Sequence, residues 1–174
     1  LTSPITAGNW WPRMVAGGTT GNTLHSISIT YPVGSGGTLH QGLDGALLYS
    51  RSLNGGVSWD TKHRLISGLD TASFIGFSGD AYAIDAKGNN VAIVAGNSVS
   101  DLVLMKSTDN GDNWTKTVIY QFPIHKWDWA TTISDVDGDA IADTIDSYDA
   151  SISALIDNSG MVHVWYGRFR IVQP

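Results

Sequence analysis

One pattern occurs twice in this chain, and it constrains the fold more than any other feature. Residues 45–59, GALLYSRSLNGGVSW, align without a gap on residues 100–114, SDLVLMKSTDNGDNW, at an offset of 55 residues. Leu47 meets Leu102, Arg51 meets Lys106, Ser52 meets Ser107, Gly56 meets Gly111 and Trp59 meets Trp114. Each copy runs from an apolar stretch into an Asn/Asp/Gly turn, the pattern of a strand entering a hairpin. A hairpin unit that recurs along a chain buries its apolar faces by stacking on its own repeats.

The repetition extends further. The same offset lays Ser26–Thr30 (SISIT) on Ala81–Asp85 (AYAID). A third copy begins near Tyr148, where 149–166 resembles 80–95 as strand, Asn/Gly turn, strand. Matching Asp157 with Asp85 leaves surplus residues between about 122 and 147, which read as an insertion. The middle unit predicts four strands near 81–85, 91–95, 102–107 and 115–120. No stretch carries helical periodicity, and 20 glycines with 7 tryptophans suit hairpins and aromatic packing. The expected class is all-β, in one domain. Its units are about 24–78, about 79–121, the insertion at about 122–147 and the start of a third unit at about 148–174. The stretch ahead of residue 24 is read as part of a further unit.

Ser107-Thr-Asp109-Asn-Gly111-Asp-Asn-Trp114 fits S-x-D-x-G-x-x-W at every fixed position, and Ser52-Leu-Asn54-Gly-Gly56-Val-Ser-Trp59 fits with Asn for Asp. The octapeptide resembles the Asp box, or BNR repeat, of sialidase-like β-propellers, and the resemblance covers roughly residues 24–166. It implies blades of four antiparallel strands, of which this chain covers about three. It also implies a larger secreted or cell-surface bacterial protein, with the remaining propeller or a larger assembly as partner. The box residues are implied to serve the fold, away from the ligand face. Asp109 and Asn54 accept backbone N–H groups of their own turn, Gly111 and Gly56 take a positive φ, and Trp114 and Trp59 plug the space between blades.

A second motif carries chemistry. Asp135, Asp137, Asp139, Asp143 and Asp146 stand at positions 1, 3, 5, 9 and 12 of one loop. Five carboxylates this close repel one another unless a cation neutralises them. Ca²⁺ takes six to eight oxygens on a flexible loop, and the carbonyl of Ile141 at position 7 completes the expected set. The spacing resembles EF-hand, dockerin and integrin-propeller loops. It departs from them at Ala140, where they use Gly, and at Asp146, where an EF-hand uses Glu. The bland alternative is a solvated acidic turn. If Ca²⁺ binds, the expected role is to staple the insertion.

Within the insertion, Trp127 and Trp129 flank Asp128. Aromatic faces stack on sugar rings and a carboxylate holds hydroxyls, so the trio is a candidate carbohydrate site. The competing reading is two strand residues filling core. Trp10, Trp11 and Arg13 form a weaker candidate of the same kind.

Several functions are disfavoured. The net charge of −6 and a pI near 5 give no basic face for nucleic acid. No segment is apolar over the roughly 18 residues a membrane helix needs. With no cysteine there is neither disulfide nor thiolate site. The opening LTSPITAGNWW lacks a signal-peptide pattern and reads as a processed or truncated end. A sialidase needs an arginine triad and a Tyr–Glu pair, and the chain contains no glutamate: all sixteen acids are aspartates. The five histidines show no zinc spacing. Asn113-Trp-Thr115 is a formal glycosylation sequon inside the second box. The expected function is a non-catalytic extracellular module that binds glycan or protein, or a rigid structural segment. The alternative is part of a glycoside hydrolase whose catalytic residues lie largely outside this chain; two of its own aspartates could otherwise serve.

Overall fold

The computed structural model describes residues 8–173, so the reading of the N-terminal end lies outside it. Strands and turns make up nearly all of it, apart from one 3-10 turn at Val33–Ser35. Strands β1 (Trp10–Gly17), β2 (Thr23–Ile29), β3 (Leu47–Ser52) and β4 (Thr61–Leu65) form one antiparallel meander. Strands β5 (Tyr82–Lys87), β6 (Asn90–Ala95), β7 (Leu102–Ser107) and β8 (Thr115–Tyr120) form a second. The third unit is a hairpin of β10 (Ser153–Ile156) and β11 (Val162–Trp165). Beside it, β9 (Thr144–Tyr148) pairs with β12 (Arg168–Val172).

Two expected alignments shift. The first sheet begins at Trp10, ahead of residue 24, because the N-terminal stretch supplies its first strand. Leu24 pairs with the box serine Ser52, and Val91 pairs with Ser107, so β2 corresponds to β6. The match of Ser26–Thr30 to Ala81–Asp85 is therefore wrong. The β2–β3 connection is longer than β6–β7 and breaks the constant offset. In the third unit, Ala154 pairs with Val164 as Ile84 pairs with Ile93. Asp85 then corresponds to Leu155 rather than Asp157. That slip of two residues leaves every side chain on its expected face, because strand side chains alternate with period two. β9 starts at Thr144, inside the expected insertion.

Strand order explains the packing. In β6, Ile93 and Ala95 face the first sheet, while Val94 faces the third unit. A strand covered on both faces needs apolar residues at successive positions, and β6 is buried from Val91 to Ala95. The first core lies between the two sheets, with Ile27, Ile29, Leu47 and Tyr49 against Tyr82, Ile93, Val103 and Met105. The second joins Ala83, Val94 and Leu102 to Tyr148, Ile152, Val164 and Tyr166. A small third core of Phe122, Trp127 and Ile145 lies under the insertion. Among the described residues no helix is long and apolar enough to cross a membrane.

Candidate functional site

In an antiparallel meander, the turns after the first and third strands share one end. The connections after the second and fourth strands share the other. The boxes lie at the first end. Ser52 Oγ accepts the Gly56 N–H at 2.8 Å, and Asn54 Oδ1 accepts the Ser58 N–H at 2.8 Å. In the second box Ser107 Oγ accepts Gly111 N–H at 2.9 Å, and Asp109 Oδ1 accepts Asn113 N–H at 2.9 Å. Gly56 and Gly111 both sit at φ 91°. The Asn113 backbone and side-chain donors, then Ser107, hold the Asp109 carboxyl down at about 2. Asn113 Nδ2 donates to Asp109, which makes that amide part of the turn.

The tryptophans differ. Trp114 donates its indole N–H to the Gly111 carbonyl at 3.1 Å and meets Tyr49 of the first sheet edge-on at 5.2 Å. Trp59 joins none of the apolar cores among the described residues, so the expected plug is found at one box only. No described sheet packs on its side of the first meander.

Beneath the second box lies a polar joint that the sequence did not announce. Arg51 donates to Asp60, to Asp112 and to the Asn110 carbonyl, the last two at 2.7 Å. Buried His25 shares a 2.7 Å hydrogen bond with the Tyr49 hydroxyl. Burial, with the Arg51 charge adding to it, lowers His25 to about 4.

The acidic loop is looser. Oxygens of Asp135, Asp137 and Asp143 come within 4.8 Å of one another. Asp135 accepts the N–H groups of Gly138 and Ala140, and Asp143 accepts that of Val136. Ala140 takes φ 64°, where glycine was expected. Asp139 turns to the Ile141 N–H instead. Asp146 lies in β9 and faces Arg170 at 3.1 Å and Arg168 at 3.7 Å. Of the six expected ligands, the carboxylates of Asp135, Asp137 and Asp143 are the ones that gather, while Asp146 pairs with the arginines of β12 and lines one surface cleft with Asp137 and Asp143. Hard oxygen donors alone suit a divalent cation.

The opposite end holds a cleft of about 480 Å³, within the roughly 300–1,000 Å³ of ligand sites. Asp44 and Pro32 line it from the β2–β3 connection, Ile75 and Phe77 from the β4–β5 connection, and Asn97 and Val99 from the β6–β7 connection. Trp127, Asp128 and Trp129 close it from the insertion. The tryptophan pair divides. Trp127 is 2% exposed, stacks on Phe122 and donates to the Thr132 carbonyl, so it is core. Trp129 is 66% exposed and available to a ligand. Asp128 caps its own turn through Ala130 N–H and Thr131 Oγ1. Asn97 bridges Ser78 and Gly76, which fixes the floor. The pairing of Asp44 and Asn97 with this turn could not be read from spacing, since three separate connections deliver them. Of the earlier aromatic candidates, Trp10 packs on the first core, Trp11 is exposed, and Arg13 pairs with Asp80 at 3.1 Å.

Cleft and acidic loop are tied together. Ser134 and Asp143 close the loop base through Asp143 N–H to Ser134 O, at 2.8 Å, and Ser134 Oγ to Asp143 O, at 2.9 Å. Gln173 accepts the Ser134 N–H and donates to the carbonyls of Trp129 and Thr132.

Comparison with known protein families, with curated proteins and with solved structures finds no match.

Proposed function

We propose that this chain is a segment of a secreted or cell-surface β-propeller of the Asp-box kind. It acts as a non-catalytic module that binds carbohydrate in the cleft beside Trp129. The observation that carries this reading is the exposed Trp129 ring, set over a polar-edged cleft at the end opposite the boxes. An exposed indole offers a flat apolar face to a sugar ring, with its packed turn already ordered. Asp44 and Asn97 supply acceptors and donors for hydroxyls.

Ca²⁺ is the cation proposed for the acidic loop, where Asp135, Asp137 and Asp143 would hold it. Its role is to order the insertion, and through Ser134 and Gln173 the turn that carries Trp129.

The proximity of Asp44 and Asp128 favours a glycoside hydrolase as the second reading. Both carboxylates accept backbone N–H groups, Asp44 from Val33 and Asp128 from Ala130, which ties each of them into its own loop. On the binding-module reading, incubation with soluble glycans should release no reducing ends. Release that Asp44→Asn and Asp128→Asn abolish would establish the hydrolase instead.

A further inference from the structure

Within each of the first two units one carbonyl holds that unit's own box, and in the third unit a lysine from the neighbouring sheet takes the place of the box. Ladder register puts Asn22, Asn89 and Gly160 at the same place, just before the second strand of each unit. The Asn22 carbonyl accepts Gly55 N–H and the Asn89 carbonyl accepts Asn110 N–H, the same position of each box. At Gly160 the carbonyl accepts Lys106 Nζ at 2.6 Å. Lys106 corresponds to Arg51, which instead reaches forward to the next box, at Asn110 O and Asp112.

The face beside that lysine is open in the same way. Tyr49 and Arg51 of the first sheet are covered by Trp114 and the second box, and both are buried. Their counterparts Leu104 and Lys106 are half-buried and line a groove of about 320 Å³ with Thr115 and Thr117. The strands β2 and β6 are each paired on both edges, whereas β11 is paired only with β10 among the described residues. On its outer face Trp165 is 54% and Leu155 50% exposed.

We infer that the free edge of β11, with the groove at Leu104 and Lys106, is a docking site for a β-hairpin carrying an Asp-box turn. The inference rests on the repeat-built reading of the chain, and the occupant follows from continuity with the joint between the first two sheets. The incoming strand pairs with β11, and its box amide takes the Gly160 carbonyl. Its tryptophan covers Leu104, as Trp114 covers Tyr49. Lys106, released from Gly160, turns to the carbonyls and acid of the incoming box, as Arg51 does. The interaction is strand addition at an exposed edge, which an unprotected edge invites.

The test uses the full chain and a labelled peptide of residues 101–120, the chain's own second box hairpin. Fluorescence anisotropy should show saturable binding, weakened at least tenfold by Trp114→Ala in the peptide. Lys106→Met in the protein should weaken it severalfold. Because an isolated hairpin is marginally ordered, the same segment is also appended after Pro174 through a Gly/Ser linker. Hydrogen exchange at Val162–Trp165 should then slow at least tenfold relative to the unappended chain. Absence of protection in the appended protein overturns the inference, as does equal binding of a scrambled peptide. A dimer that the peptide leaves intact, with β11 protected, would place a second copy there and also overturn it. Carbohydrate binding at Trp129 is read separately, so its failure is distinguishable from failure at this edge.

Discussion

The box turns and the acidic loop are both short, aspartate-rich and glycine-bearing, and in both the carboxylates accept N–H groups of their own turn; they differ in how many carboxylates gather. Asp109 points into its own turn and is saturated by donors from Ser107 and Asn113. The first box performs the same task with a neutral Asn54. In the acidic loop Asp135, Asp137 and Asp143 converge within 4.8 Å, and none of them is in an ion pair among the described residues. A lone carboxylate that an amide can replace is a hydrogen-bond acceptor, whereas several that converge make a charge site. Turn donors are present in both cases; the gathering of carboxylates separates them.

The sharpest way to break this comparison is to disturb the turn backbone. A Cβ on Gly111, at positive φ, would strike the Tyr49 hydroxyl, while one on Gly56 would meet only Leu24 Cδ1 at 3.4 Å. Gly111→Ala should lose about 3 kcal/mol or more and Gly56→Ala about 1 kcal/mol, read from urea unfolding. Equal losses would mean that the second box is not braced by the joint.

The acidic loop should respond to ions where the boxes do not. Calcium at a hundredfold excess over its Kd should add about 2.7 kcal/mol of stability, seen as a rise in Tm that EDTA reverses. Asp137→Ala should remove that rise, and Asp146→Ala should leave most of it. A Tm indifferent to calcium in the wild type would reduce the loop to a solvated acidic turn.

The joint beneath the second box adds a pH signature. His25 has its folded pKa lowered to about 4, so between that value and the ordinary 6.5 the unfolded chain binds more protons. Its contribution is full above about pH 6.5 and falls as the pH drops, by about 2 kcal/mol at about pH 5. His25→Gln should flatten that part of the stability profile. A slope that survives the substitution would place the titration elsewhere.

The smallest expected effect is at Asp109. Its lowered pKa gives stability that is present above the usual carboxylate range and is lost as pH falls toward 2. Asp109→Asn, copying the first box, should fold normally and lose that acid-side dependence in chemical denaturation below pH 4. A large loss at neutral pH would show that the two boxes are not equivalent.

Much of this architecture was legible because its physics is local. The box, its hairpin and the third and fourth strands keep a fixed spacing, so Leu47–Ser52 predicts Leu102–Ser107. The β1–β2 pairing was not legible, since the length of the β2–β3 connection is free to vary at the open end of the sheet. The same freedom hid the cleft, which Asp44, Asn97 and Trp129 reach from separate connections. Trp127 and Trp129 look alike in sequence; only the Phe122–Ile145 core that closes over one of them tells them apart. Asp146 stands at the spacing of a ligand and also pairs with Arg170 across β9 and β12, a partner that spacing could not show.

The most direct measurement is a calorimetric titration of oligosaccharides of varied composition against the full chain, with saturating calcium, with EDTA, and in Trp129→Ala. The account predicts saturable binding to at least one glycan, weakened at least tenfold by Trp129→Ala and weakened by EDTA, with folding intact in both. Undiminished binding in Trp129→Ala, or no binding to any glycan by a folded, calcium-loaded chain, would contradict it.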